Sequence, residues 1–217
     1  AYRRQRQMCI RDSTRSGLSR VAHGGVRAAN SWHARKTVDA DAARMREYRM
    51  TTVLLSLGSN VQPTHYLRLA VEALRARFGP IDVSPAYRTA AVGFDGPDFV
   101  NNGVQLQTDW ELQALDDWLH ALEDRHGRDR SGPRFSDRTL DVDVVFFGDR
   151  IVEGPGHLRV PRPELKHAFV LKPLADIAPA FVDPLSGKTL AALWQAHPQY
   201  GSAFTTVELD NAVALPQ

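Results

Sequence analysis

Arg134-Phe135-Ser136-Asp137-Arg138-Thr139-Leu140-Asp141-Val142-Asp143-Val144-Val145-Phe146-Phe147 is the stretch whose reading decides the fold. Its second half is rich in β-branched and aromatic residues and predicts a strand from Arg138 to Phe147. Side chains alternate along a strand, so Asp141 and Asp143 point to one side, as neighbours at the edge of a sheet. Two carboxylates that close persist when they share a proton, pair with arginine, or hold a metal. Arg138 is near enough for a purely structural pairing. Basic residues crowd upstream (Arg128, Arg130, Arg134, Arg138). Hard oxygen donors beside several arginines suit magnesium carrying a polyphosphate.

Outward from that strand, the chain alternates strand and helix signals. Thr52–Leu57 is an apolar run ended by Gly58-Ser59-Asn60, a strand followed by a turn. Pro63 opens a helix with Leu67, Ala70, Val71, Leu74 and Phe78 on one face, ended by Gly79-Pro80. Residues 81–89 predict a strand interrupted at Ser84-Pro85, residues 90–98 a loop, and residues 99–107 a third strand. Thr108-Asp109-Trp110-Glu111 has the spacing of a capping box before a helix carried by Leu112, Leu115, Leu119 and Leu122. After the central strand, short helices are expected over residues 165–175 and 190–194, and a terminal strand over 204–209. The order βαββαβ is the ferredoxin-like arrangement: an α+β fold, an antiparallel sheet with helices on one face.

The 217 residues suffice for one domain, here expected over residues 50–217. No apolar run approaches the roughly 20 residues of a membrane span, so no membrane association is expected. Residues 1–49 carry 12 basic and 4 acidic side chains, a balance of +8, and the rest carry 15 and 21, a balance of −6. A uniform basic surface is therefore not indicated for the main body, and no nucleic acid is expected as a partner. The first 49 residues lack an apolar period and are expected to be disordered. Gln7-Met8-Cys9-Ile10-Arg11-Asp12-Ser13 resembles the translation of a sequencing-library adaptor, so this segment is expected to be non-native or translated from upstream, with Met50 as the natural start. The lone Cys9 excludes a disulfide framework within one chain and fits a reducing cytoplasm. The chain has no P-loop, no G-x-G-x-x-G after a strand, no H-E-x-x-H and no G-x-S-x-G. Side chains must then supply any phosphate contacts.

Leu57-Gly58-Ser59-Asn60, Asp98-Phe99-Val100-Asn101-Asn102 and Arg138-Thr139-Leu140-Asp141-Val142-Asp143 together resemble the 6-hydroxymethyl-7,8-dihydropterin pyrophosphokinase family of folate synthesis. Val160-Pro161, Phe169-Val170-Leu171-Lys172-Pro173-Leu174 and Ile177-Ala178-Pro179 continue the likeness in order. The resemblance implies transfer of the β,γ-diphosphate of ATP to the pterin hydroxymethyl group with release of AMP. It implies Asp141 and Asp143 as ligands of two magnesium ions, and Arg128, Arg130 and Arg138 as phosphate contacts, their planar forks suiting paired oxygens. It further implies Glu123 at the nucleotide side. Asn101 would read the pterin edge, Phe169 would stack on the ring, Phe99 and Phe135 would flank or close over it, and Thr89 and Val92 would offer backbone groups to it. ATP and the pterin are the expected partners of a cytoplasmic enzyme, and a monomer is expected.

Three positions depart from the family pattern. Arg162 stands where histidine is usual, His167 replaces a phosphate-binding arginine, and Ser136-Asp137 replaces Gly-Pro before Arg138. Arg162 is a candidate to make up for His167, whose ordinary pKa near 6.5 leaves it partly charged. The alternative reading is a divergent paralogue that binds pterin or nucleotide with little catalysis.

Overall fold

The computed structural model describes residues 50–91, 96–128, 137–154 and 158–209. The first 49 residues, and with them the expectation of a disordered leader, lie outside this set. Five strands form the main antiparallel path in the order β5-β1-β4-β3-β8, with β2 also on β4. They are β1 (Thr51–Ser59), β2 (Asp82–Val83), β3 (Ala86–Thr89), β4 (Phe99–Thr108), β5 (Asp141–Phe147) and β8 (Thr205–Val207). Helix α1 (Pro63–Phe78) follows β1, and α2 (Leu112–Arg125) follows β4. A small ribbon of β6 (Val152–Glu153) and β7 (Arg159–Val160) leads into a 3-10 turn (Pro163–Lys166), α3 (Ala168–Ile177) and α4 (Leu190–Gln195). The ferredoxin-like βαββαβ core is therefore present.

The sheet is covered on both faces, not one. Val53, Leu55 and Leu57 of β1 pack with Val100, Val104 and Leu106 of β4 against Leu67, Ala70 and Leu74 of α1 and Leu115, Leu119 and Leu122 of α2. Leu54, Val145 and Phe146 face the other way, against Leu171 and Leu174 of α3 and Leu190 and Trp194 of α4. The consecutive apolar residues Val53-Leu54-Leu55 of β1 follow from this double burial. Gly103 of β4 permits the second layer: a Cβ there would lie 2.9 Å from Leu174 Cδ2 and 3.2 Å from the Pro173 carbonyl carbon.

Three local expectations are corrected. The capping box does not form: Thr108 stays paired with Thr51 in the ladder, its hydroxyl accepts from the Trp110 N–H (3.1 Å), and Glu111 becomes the N-cap of α2. Strand pairing outweighs a local cap here, because it fixes the backbone of Thr108 through several neighbouring bonds. The single helix expected over 165–175 is a 3-10 turn and a helix separated by His167, whose backbone is extended (φ −93°, ψ 140°). The central strand begins at Asp141, not Arg138. Its pairing with β1 shifts between Leu54 and Leu55, so Val145 and Phe146 share one face while Asp141 and Asp143 stay in step with Gly58 and Ser56.

Candidate active site

Asp141 lies opposite Gly58, Gly58 opposite Asn101, and Asn101 opposite Tyr87, a row across β5, β1, β4 and β3. Residues opposite one another in antiparallel strands share a face, so the acidic pair and Asn101 look to the side that carries α3. Asp143 sits one step inward, opposite Ser56, and Phe99 pairs with Thr89 one step outward. Gly58 opens the middle of the row. A Cβ there would come within 2.8 Å of Asn101 Oδ1 and 3.8 Å of Phe99 Cδ1, so both side chains converge over the glycine. Asn101 Nδ2 donates to Thr89 Oγ1 (2.9 Å), which fixes the direction of the amide.

Three arginines meet the two carboxylates. Arg138 pairs with Asp141 Oδ2, Arg128 reaches Asp141 Oδ1 at 3.1 Å and the Leu140 carbonyl at 3.3 Å, and Arg162 pairs with Asp143 Oδ1. The structural pairing left open by the sequence is thus realised. The carboxylates nonetheless remain open to a ligand: the side chains of Asp141 and Asp143 are 22% and 31% exposed. Each arginine has a different anchor. Arg128 leaves the end of α2, its N–H donating to the Glu123 carbonyl (3.1 Å). Arg162 is hung on β5 itself, its N–H donating to the Val145 carbonyl (3.1 Å). Arg138 is held by Asn60, whose Oδ1 accepts from the Arg138 N–H (2.6 Å) and whose own N–H donates back to the Arg138 carbonyl (3.1 Å).

Asn60 ends the Leu57-Gly58-Ser59-Asn60 motif, and the sequence alone assigns it no role. An amide side chain directly after a strand end, able to donate and accept at once, was the available signal. Its Nδ2 also donates to Asp137 Oδ1 (2.8 Å), so the unusual acid spends its charge on fixing the approach to β5. Glu123 is buried, and its Oε1 accepts from the Val142 N–H (2.7 Å), which pins β5 from the α2 side. His167 and Phe169 lie parallel, 5.0 Å apart at 9°. One face of Phe169 is therefore covered, and a flat ligand would need its other face or would displace the imidazole. Burial, then the nearby Lys166, pushes the His167 pKa below its ordinary value, so at neutral pH it is a weak substitute for a phosphate-binding cation. Val92, Arg130 and Phe135 lie outside the described residues.

A second polar cluster stands beside the row. Tyr87 donates to Asp176 Oδ2 (2.6 Å), and Lys172 Nζ donates to Tyr87 Oη (3.0 Å) and to both Asp176 oxygens (2.6 and 2.7 Å). Burial and Asp176 raise the Tyr87 pKa, keeping it a hydroxyl. The cluster ties α3 to β3.

Chemically, the pair of carboxylates fits a hard divalent cation. Among the described residues no group of three or more His, Cys, Asp or Glu side chains is placed to hold a metal. A cation at Asp141 and Asp143 would complete its shell with water and ligand oxygens, the arrangement magnesium favours.

Residues 54–179 match the family of 7,8-dihydro-6-hydroxymethylpterin-pyrophosphokinase (HPPK). A 2-amino-4-hydroxy-6-hydroxymethyldihydropteridine pyrophosphokinase from Synechocystis is 39% identical over 145 residues, covering 64% of this chain and 73% of the relative. The protein of the same name from Pseudomonas aeruginosa is 37% identical over 154 residues, covering 69% of this chain and 93% of the relative. The Plasmodium falciparum HPPK-DHPS structure superposes with a TM-score of 0.54 at 12% identity, covering 68% of this chain and 44% of that one, a likeness of fold alone.

Proposed function

Because the chain belongs to the 7,8-dihydro-6-hydroxymethylpterin-pyrophosphokinase family, we propose that it is an ATP-dependent pyrophosphokinase of folate biosynthesis. It transfers the diphosphate of ATP to the hydroxymethyl group of 6-hydroxymethyl-7,8-dihydropterin. The hydroxymethyl oxygen attacks the β-phosphorus, the bond from the β-phosphorus to the bridging oxygen breaks, AMP leaves, and the hydroxyl proton passes to water. The observation that carries this reading is the same-face Asp141 and Asp143, ringed by three arginines and in one row with Asn101.

Asp141 and Asp143 would hold two magnesium ions, whose chemistry is neutralisation of the phosphates and their alignment for in-line displacement. Arg128 and Arg138 turn from Asp141 to the transferring phosphates, where a guanidinium fork matches paired oxygens. Arg130 is read as a further contact of this kind. Asn101, its amide direction set by Thr89, reads the donor and acceptor edge of the pterin, and Phe99 and Phe169 flank its ring; Phe135 and Val92 are read as further pterin contacts. Glu123 acts on the nucleotide side through the strand it pins. The named residues all fall within 50–217, which is read as the catalytic domain of a monomer. A cytoplasmic location belongs to the same reading and rests on the sparing use of cysteine.

The alternative of a binding protein without catalysis gains no support. That alternative was drawn from three departures, Arg162, His167 and Asp137. Against it stand relatives at 39% and 37% identity that are named as pyrophosphokinases, with Asp137 engaged by Asn60 and Arg162 facing Asp143. The test is AMP formation from ATP that depends on the hydroxymethyl-dihydropterin and on magnesium. The expected result is stoichiometric AMP and pterin diphosphate; no AMP with both substrates saturating overturns the function.

A further inference from the structure

Arg162 differs from the other two arginines in where it is mounted. Arg128 and Arg138 both address Asp141, from the end of α2 and from the residue held by Asn60. Arg162 addresses Asp143, and its backbone is bonded to β5 two residues beyond that aspartate. The following 3-10 turn closes on it, the Leu165 N–H donating to the Arg162 carbonyl (3.1 Å). Its side chain is only 17% exposed, less than the carboxylate it covers. The guanidinium thus lies on the metal-facing carboxylate from a fixed root.

We propose that Arg162 is a tethered counter-ion for Asp143 that competes with the divalent metal, so that the metal enters this site together with the nucleotide phosphates and only weakly without them. The inference rests on the metal reading of Asp141 and Asp143. A divalent ion arriving alone must displace the guanidinium and leave it facing a dication at short range, an unfavourable pairing of like charges. When a triphosphate arrives with the metal, both partners are exchanged at once: Asp143 passes from guanidinium to metal, and the guanidinium from carboxylate to phosphate. No charge is stranded in that exchange. Arg162 is a positioning residue in this scheme, acting through Asp143.

The experiment is a titration of the nucleotide-free protein with Mn2+ alone, followed by electron paramagnetic resonance, on the wild type and on Arg162→Gln, Arg162→Ala and Arg162→Lys. Asp143 is partly exposed, so losing its partner does not strand a buried charge, and circular dichroism checks that each variant is folded. An adjacent opposite charge changes a carboxylate's affinity for a proton by one to three units, so the Gln and Ala variants should bind Mn2+ about ten-fold or more tightly than the wild type. The Lys variant should stay weak. Adding Asp143→Asn to Arg162→Gln should abolish the gain. Equal Mn2+ affinity in the wild type and the neutral variants overturns the proposal, as does a gain that survives Asp143→Asn. Wild-type AMP formation reports separately on the function, so a folded variant without the gain, beside an active wild type, sinks the counter-ion role alone.

Discussion

Asn101 and Asn102 are neighbours on β4 and face opposite sides of one sheet. Asn101 is used: its nitrogen is bonded to Thr89, and its oxygen stands over Gly58 in the row that ends at Asp141. Asn102 pairs across the ladder with Leu57 and is wholly buried on the side of α1 and α2. Neither its Nδ2 nor its Oδ1 has a hydrogen-bond partner among the described residues. The same side chain is therefore an asset on one face and a cost on the other, since a buried amide without partners loses its hydration uncompensated. The face under α1 and α2 gives cohesion and tolerates polarity badly. The edge of the opposite face gathers five ionic side chains and is the proposed place of the chemistry. Stability and activity should therefore be separable by which face a substitution touches.

The largest effect expected is on activity. Asp143→Ala should lower kcat/KM by about 100-fold or more, with the melting temperature little changed, because the side chain is partly exposed and outside the packed clusters. Wild-type-like turnover would remove the metal role and break the division between faces. Gly58→Ala should act at the middle of the row. Its new methyl would push Asn101 Oδ1, the end of the side chain, off its place over Gly58 and so turn the amide whose Nδ2 donates to Thr89. Loss of one such bond corresponds to a roughly ten-fold higher KM for the pterin, with KM for ATP and stability nearly unchanged. Equal changes in both KM values would show that the row does not divide into pterin and phosphate ends.

On the closed face the sign reverses. Asn102→Leu, close in volume, should stabilise the fold by about 1 kcal/mol or more in urea unfolding while leaving kcat/KM alone. A loss of stability would mean that the amide is satisfied by buried water. The smallest effect concerns pH. Burial holds the His167 pKa below 6.5, so the folded chain binds that proton less readily than the unfolded one. Its contribution is fully present above the unfolded value and is lost as pH falls from 6.5 toward the lowered folded pKa. His126 is depressed in the same sense, first by burial and then by Arg125 and His65. His167→Phe should therefore flatten the decline of the urea midpoint between about pH 7.5 and 5.5. An unchanged slope would place the pH dependence elsewhere.

The core was legible because two periods carried it: the i, i+3, i+4 spacing of Leu67, Ala70, Val71 and Leu74, and the apolar strands around Val53–Leu57 and Val142–Phe147. The second helical layer was missed although its sign was present. Val53-Leu54-Leu55 is apolar at consecutive positions, which an antiparallel strand with one wet face would not be. The capping box failed because local spacing does not reveal that Thr108 is still held by the ladder. The acidic pair stood out because acids are costly in strands, and Arg138 was beside it. The Arg162–Asp143 pair and the Asn60–Asp137 bond span 19 and 77 residues, and nothing in local pattern sets such distances.

The Tyr87–Lys172–Asp176 cluster, taken with Gly103, settles how a helix is aligned on a sheet. A helix resting on a flat face can still approach, slide and roll. The missing side chain at Gly103 sets the approach, by letting Pro173 and Leu174 touch the strand. The bonds from Tyr87 to Lys172 and Asp176, one turn apart on α3, set the roll and check the slide. Phe169 lies one turn before Lys172 on the same helix, so its direction is referenced to β3, the strand that also supplies Thr89. The aromatic platform and the amide it would work with are thereby measured from one ruler.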